Sequence, residues 1–171
     1  AGIVRKYQVT NIYEQQSVVE NMRLAMRSKT PDPIKLLRTK DSSEIDSEIE
    51  ELLSIAGLDS MKHTKAENLS HGQKQWLEIM MTVATEPELL LLDEPTSGLS
   101  KGETKKSIEL IRQLQKETPD MTILVIEHNV EFIKEVSEEL LVLHQGELIA
   151  EGSAEEIEQN NRVQEVYLKK D

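Results

Sequence analysis

Leu89-Leu90-Leu91-Leu92-Asp93-Glu94-Pro95 constrains the fold of this chain more than any other stretch. Four consecutive leucines leave no face for solvent, so the segment must lie inside. A short apolar run closed by two carboxylates and a proline fits a parallel strand covered on both sides, because a helix would bury only every third or fourth residue. Met121 to Ile126 (MTILVI), ending at Glu127-His128, is expected to be a second buried strand. Between the two runs, Ser100 and Glu103 have capping-box spacing and open a helix to about Glu117, with Ile108, Ile111 and Leu114 on its apolar side. Strand, helix, strand, helix implies right-handed crossovers and a parallel sheet, an α/β fold.

The chain changes character near Ser70. Before it, the sequence reads helical and polar. Residues 18–28 (VVENMRLAMRS) suit a helix, broken by Pro31-Asp32-Pro33. Asp41 with Glu44 caps a second helix, whose Ile45, Ile49, Leu52, Leu53 and Ala56 share a face, and Gly57 is its stop. Ser70 with Gln73 is another capping box and starts the helix QWLEIMMTVAT. After the second strand, Asn129 caps a short helix carrying Phe132, Ile133 and Val136. Leu140–Leu143 and Glu147–Ala150 form a hairpin around Gln145-Gly146. Ser153 with Glu156 is a third capping box, and Val163, Val166, Tyr167 and Leu168 sit in a final short helix.

Composition removes several function classes. Ile, Leu, Val and Phe exceed the roughly one-fifth share below which a charged chain stays disordered, so the 171 residues fold around a core. The net charge of −12 opposes non-specific nucleic-acid binding, which needs a basic face. With no cysteine there is no disulfide scaffold, thiolate nucleophile or Cys-based zinc site. No apolar run approaches the roughly 18 residues of a membrane span, and Ala1-Gly2-Ile3-Val4-Arg5-Lys6 lacks the apolar stretch of a signal peptide. His63, His71, His128 and His144 contain no helical His-x-x-x-His pair, which argues against zinc.

The chemistry concentrates at strand ends. In an open parallel sheet, ligands bind beyond the carboxyl ends of the strands. Asp93 there suits Mg²⁺, which takes carboxylates and keeps several waters, and Glu94 can polarise a water. A solvated acidic pair is the plain alternative. The neighbouring strand end would put His128 beside both. Ser70-His71-Gly72-Gln73 opens a helix whose free N–H groups and dipole suit phosphate, with Gly72 permitting close approach. Taken alone, N-capping accounts for Ser70 and Gln73.

LSHGQ, then LLLLDEP, then a histidine after the next strand, in that order, resembles the ATP-binding subunit of ABC transporters across essentially the whole chain. LSHGQ is similar to the signature LSGGQ, with His71 for a glycine. LLLLDEP is similar to the Walker B motif. SGLS (Ser97 to Ser100) falls at the D-loop, His128 at the switch histidine and Gln8 at the Q-loop glutamine. LSHGQKQWLEI, VIEHNVEFI, GELIAEGS and VQEVYL together look like the urea-type subunit of the branched-chain amino-acid and amide uptake group.

The resemblance implies a P-loop NTPase-like core with a parallel sheet plus a helical lobe. Residues 1–17 would be the Q-loop region and 18–69 the helical lobe. Residues 70–153 would be the remainder of the core and 154–171 a helical tail. It implies ATP and Mg²⁺ as cofactors, with Asp93 and Gln8 at the metal, Glu94 and His128 catalytic, and Ser70, His71, Gly72, Gln73 and Gln8 around the nucleotide. It implies a membrane permease, a second ATP-binding subunit facing head to tail, no nucleic-acid partner and a cytoplasmic position on the inner face of the membrane. None of the seven glycines is followed by lysine, so the G-x-x-x-x-G-K-[ST] loop is missing. The expectation is therefore a C-terminal part of such an ATPase, truncated at the N-terminus so that it lacks that loop. It should be inactive by itself, with an exposed sheet edge through which it self-associates. The rival readings are a non-enzymatic module that binds permease, and the ATPase head of a chromosome-maintenance or DNA-repair protein. No sustained heptad array supports the latter.

Overall fold

The computed structural model describes residues 3–5, 12–28 and 42–168. The chain divides into two compact units, Ala1–His128 and Asn129–Asp171.

In the first unit, β1 (Ile3–Arg5), β2 (Leu89–Asp93) and β3 (Thr122–Ile126) form a parallel sheet in the order β1-β2-β3. The register sets Asp93 opposite Ile126, so both strands end at one level. Leu90 and Leu92 are buried, while Leu89 and Leu91 are half-buried. The crossover between β2 and β3 is α4 (Lys101–Glu117), with Ser107, Leu110, Ile111 and Leu114 buried.

β3 departs from expectation. The run MTILVI reads as a buried strand, yet Leu124 is 45% exposed and Ile126 59% exposed. The physical reason lies in sheet order. β2 has a partner on each side, whereas β3 pairs only with β2 among the described residues. Apolar content reports what a segment prefers to contact, and only the tertiary arrangement decides what is there.

Helices α1 (Val18–Ser28), α2 (Ser42–Ile55) and α3 (His71–Val83) complete this unit. Their buried stripes are Val18, Val19 and Met22, then Ile49 and Leu53, then Trp76, Leu77, Ile79 and Met80. α1 and α2 pack on α3, and α2 also meets α4. α1 begins at a capping arrangement that sequence reading passed over: Ser17 Oγ accepts from the Glu20 amide, and Glu20 accepts from the Ser17 amide and hydroxyl. Behind it, fully buried Asn21 accepts from the Tyr13 amide and donates to the Tyr13 and Ser17 carbonyls. Gly57 follows α2 at φ +63°, the left-handed stop that its position called for. The Asp41 cap and the Pro31-Asp32-Pro33 break lie outside the described residues.

The second unit holds α5 (Val130–Val136), β4 (Leu140–His144), β5 (Glu147–Gly152), α6 (Ala154–Gln159) and α7 (Asn161–Val163). β4 and β5 form the expected antiparallel hairpin. Gln145 and Gly146, both at positive φ, make the two-residue turn that matches strand twist. Ile149, Ala150, Ile157 and Val163 form a small core with Leu140 and Val142 against it. The tail is not one short α-helix. α7 gives way to a π-helical turn, Gln164–Leu168, where the Tyr167 hydroxyl donates to the Leu143 carbonyl at 2.6 Å.

Candidate functional site

β2 delivers Asp93 to its carboxyl end, and the chain then turns sharply. Glu94 takes φ +44°, a left-handed conformation uncommon for a residue with a side chain. Its amide donates to the Ile126 carbonyl at 2.8 Å, extending the ladder one residue past the strand, and its carbonyl accepts from Ser97 N at 3.0 Å. Asp93 and Glu94 are half-buried.

The end of β3 completes this edge. His128 is open to solvent, its side chain 78% exposed, with Nδ1 3.6 Å from Glu94 Oε1. The structure thus brings Glu94 and His128 together, with Asp93 one residue away on the same edge. Beneath them the Glu127 side chain is wholly buried. It accepts from the Thr96 amide at 2.7 Å, from the Thr96 hydroxyl, and from the His128 amide at 3.1 Å.

The second cluster is the N-terminus of α3. Ser70 is the N-cap, and Ser70 with Gln73 forms a complete capping box. His71 Nε2 lies 3.3 Å from the Ser97 carbonyl, which also accepts from Gln75 Nε2 at 3.2 Å. Ser70 Oγ donates to Glu103 Oε1 at 3.4 Å. A Cβ on Gly72 would sit 2.8 Å from that same oxygen, so the space a side chain would take is already filled by the Glu103 carboxylate. Glu103 caps α4 in turn, accepting from Ser100 N at 3.0 Å and Ser100 Oγ at 2.8 Å. The Ser100 amide first, then its hydroxyl, with smaller help from Ser70 and His71, holds the Glu103 carboxyl below the usual glutamate value. The two helix starts are therefore interlocked through one carboxylate. Gln8 lies outside the described residues.

The donor set fits Mg²⁺ in one respect: Asp93 and Glu94 offer hard oxygens at an accessible edge. Among the described residues no group of three or more His, Cys, Asp or Glu is gathered to hold a metal unaided, so an ion there would complete its shell with water or with oxygens from a ligand. Among the described residues, too, no helix is long and apolar enough to cross a membrane.

Sequence reading missed Glu127, Thr96, Gln75 and Glu103 as parts of this site. Glu127 carried one local signal, a carboxylate directly after an apolar run. The others show only when segments distant in sequence meet.

Comparison with known proteins identifies the family. Residues 2–97 match the family model described as ABC transporter. The high-affinity branched-chain amino acid transport ATP-binding protein LivG of Salmonella typhimurium is 34% identical over 173 residues, spanning 98% of this chain and 68% of LivG. The methionine import ATP-binding protein MetN of Haemophilus ducreyi is 35% identical over 164 residues, 95% of this chain and 44% of MetN. Among solved structures, the ADP conformation of MJ1267, an ATP-binding cassette of an ABC transporter, superposes with a TM-score of 0.78 at 25% identity, covering 99% of this chain and 69% of that one.

Proposed function

This chain belongs to the ABC transporter family of ATP-binding proteins, and from that premise we propose that it carries the hydrolytic and signature parts of an importer's ATPase subunit. One observation carries the reading: Glu94 and His128 meet at 3.6 Å where two parallel strands end, beside Asp93. In that role Asp93, with Gln8, would hold Mg²⁺, which would neutralise phosphate charge. Glu94 would orient a water toward the terminal phosphorus, and His128 would hydrogen-bond the γ-phosphate. ATP supplies the phosphoryl group, and the protein's contribution is positioning and charge. Ser70, His71, Gly72 and Gln73 would close over ATP held by a second subunit. Residues 18–69 would form the lobe that docks on a permease, 1–17 the Q-loop region, 70–153 the remainder of the core and 154–171 the tail. The assembly would sit on the cytoplasmic face of the membrane.

For cargo we propose urea or a related small amide or amino acid, on the strings LSHGQKQWLEI, VIEHNVEFI and GELIAEGS. The chain by itself has no G-x-x-x-x-G-K-[ST] loop and is proposed to bind ATP weakly and not to hydrolyse it. Exposed Leu124 and Ile126 support self-association of the isolated chain through β3.

The test is uptake of labelled urea and labelled leucine into vesicles holding permease and the complete ATP-binding subunit, wild type and Glu94→Gln. ATP-dependent uptake abolished by Glu94→Gln is expected, and transport that survives the substitution would defeat the assignment. Filter binding of labelled ATP and sedimentation of the isolated chain test the last two statements; tight stoichiometric binding, or a clean monomer at high concentration, would overturn them.

A further inference from the structure

We propose that Glu127 is a positioning residue that clamps the Glu94–Ser97 turn to the end of β3 and so fixes the Glu94–His128 spacing. A carboxylate is costly to bury unless donors meet it, and here a wholly buried one receives at least three. Two come from Thr96, on the turn after β2. The third comes from His128, on the segment after β3. Thr96 and Glu127 are 31 residues apart in sequence, so this clamp is tertiary and does not belong to either turn alone.

The neighbouring backbone explains why a clamp is needed. Glu94 holds φ +44°, a conformation that relaxes unless its surroundings enforce it. The ladder bond from Glu94 N to the Ile126 carbonyl fixes its amide, and the Ser97 amide bonded to its carbonyl closes the turn. Neither holds the Thr96 amide or hydroxyl, and the Leu99 amide reaches only the Thr96 carbonyl, at 3.2 Å. Glu127 holds both, and the same carboxylate orients the peptide from which His128 projects. The exposed imidazole has no enclosing wall, so its backbone sets its place opposite Glu94.

The inference deepens the functional reading above and rests on it for the roles of Glu94 and His128. The clamp itself can be tested without nucleotide. Amide hydrogen exchange of the isolated chain should be followed at Thr96 and His128, with Leu90 and Leu92 as internal controls. Glu127→Gln and Thr96→Val are each expected to speed exchange at Thr96 by about tenfold or more while leaving Leu90 and Leu92 unchanged. Glu127→Gln should also speed His128. Thr96→Ser, which keeps the hydroxyl, should restore the wild-type rate. Unchanged exchange at Thr96, or an increase spread evenly over β2, would overturn the clamp. In the complete subunit with permease, Glu127→Gln should lower kcat about tenfold or more with the KM for ATP within about twofold. A normal kcat alongside faster exchange would leave a structural bond and remove the positioning role. A wild-type subunit that hydrolyses no ATP would instead strike the functional reading and leave the exchange result standing. If Glu127→Gln does not fold, the Thr96 pair decides the matter.

Discussion

His71 Nε2 and Gln75 Nε2, one helical turn apart on α3, both reach the Ser97 carbonyl oxygen, at 3.3 and 3.2 Å. The helix opened by the signature turn is thereby fastened to the loop that follows the acidic pair. A proton on Nε2 makes the histidine contact a hydrogen bond, with Gln75 the second donor.

Because the two donors share one acceptor, their loss should not be additive. His71→Ala is expected to destabilise the chain by about 0.5–1.5 kcal/mol, since Gln75 still serves the carbonyl. The double variant His71→Ala, Gln75→Ala should depart from the sum of the singles, because the two side chains lie 3.3 Å from each other as well as against the same carbonyl. Urea denaturation of the four members of the cycle measures this.

Two glycines in helix first turns should answer differently to alanine. A Cβ on Gly102 would meet nothing within 4 Å, so Gly102→Ala should stabilise by about 0.5–1 kcal/mol. A Cβ on Gly72 would press on Glu103 Oε1 at 2.8 Å, displacing the carboxylate that caps α4. That loss, about 1 kcal/mol for a helix cap, should cancel the gain or reverse it. Chemical denaturation of both variants against wild type decides it.

Stability should fall in acid through three serine-capped glutamates. The Ser17 hydroxyl and then its amide lower Glu20; the amide and then the hydroxyl of Ser100 and of Ser153 lower Glu103 and Glu156. A carboxyl lowered in the folded state contributes fully above the unfolded value, and the contribution disappears as pH drops through the folded value. Ser100→Ala and Ser153→Ala should therefore be destabilising at neutral pH, with the difference from wild type shrinking below the usual glutamate range. Urea midpoints from neutral to acid pH read the difference directly.

Trp76 Nε1 donates to Ser107 Oγ at 2.8 Å, a buried bond between α3 and α4. Ser107→Ala leaves the indole N–H without that acceptor and is expected to cost about 1–3 kcal/mol. Trp76 is the sole tryptophan, so its emission reports both the local change and the unfolding transition.

What the sequence disclosed follows the range over which each feature is determined. Ser70 with Gln73, Ser100 with Glu103 and Ser153 with Glu156 are boxes closed within four residues, and all three stand as read. The leucine run before Asp93 was legible as a strand, and β2 is one, although it is buried on the Leu90 and Leu92 face and only half-buried on the other. β3 has nearly the same apolar content yet is more exposed and, among the described residues, lies at a sheet edge, because exposure depends on neighbours rather than on the strand's own residues. Glu103 was legible as a cap but not as the contact to Ser70, and Glu127 was legible as a strand-end acid but not as a buried one. Both depend on segments about thirty residues apart coming together.

Glu94 occupies backbone space that a residue without a side chain would enter at less cost. Folding alone would favour glycine at this bend, so whatever advantage the acid confers has to be realised outside the folding equilibrium. The position carries a small standing cost in stability, and a search for sturdier variants of this chain would be drawn to glycine there, away from the proposed role of the acid.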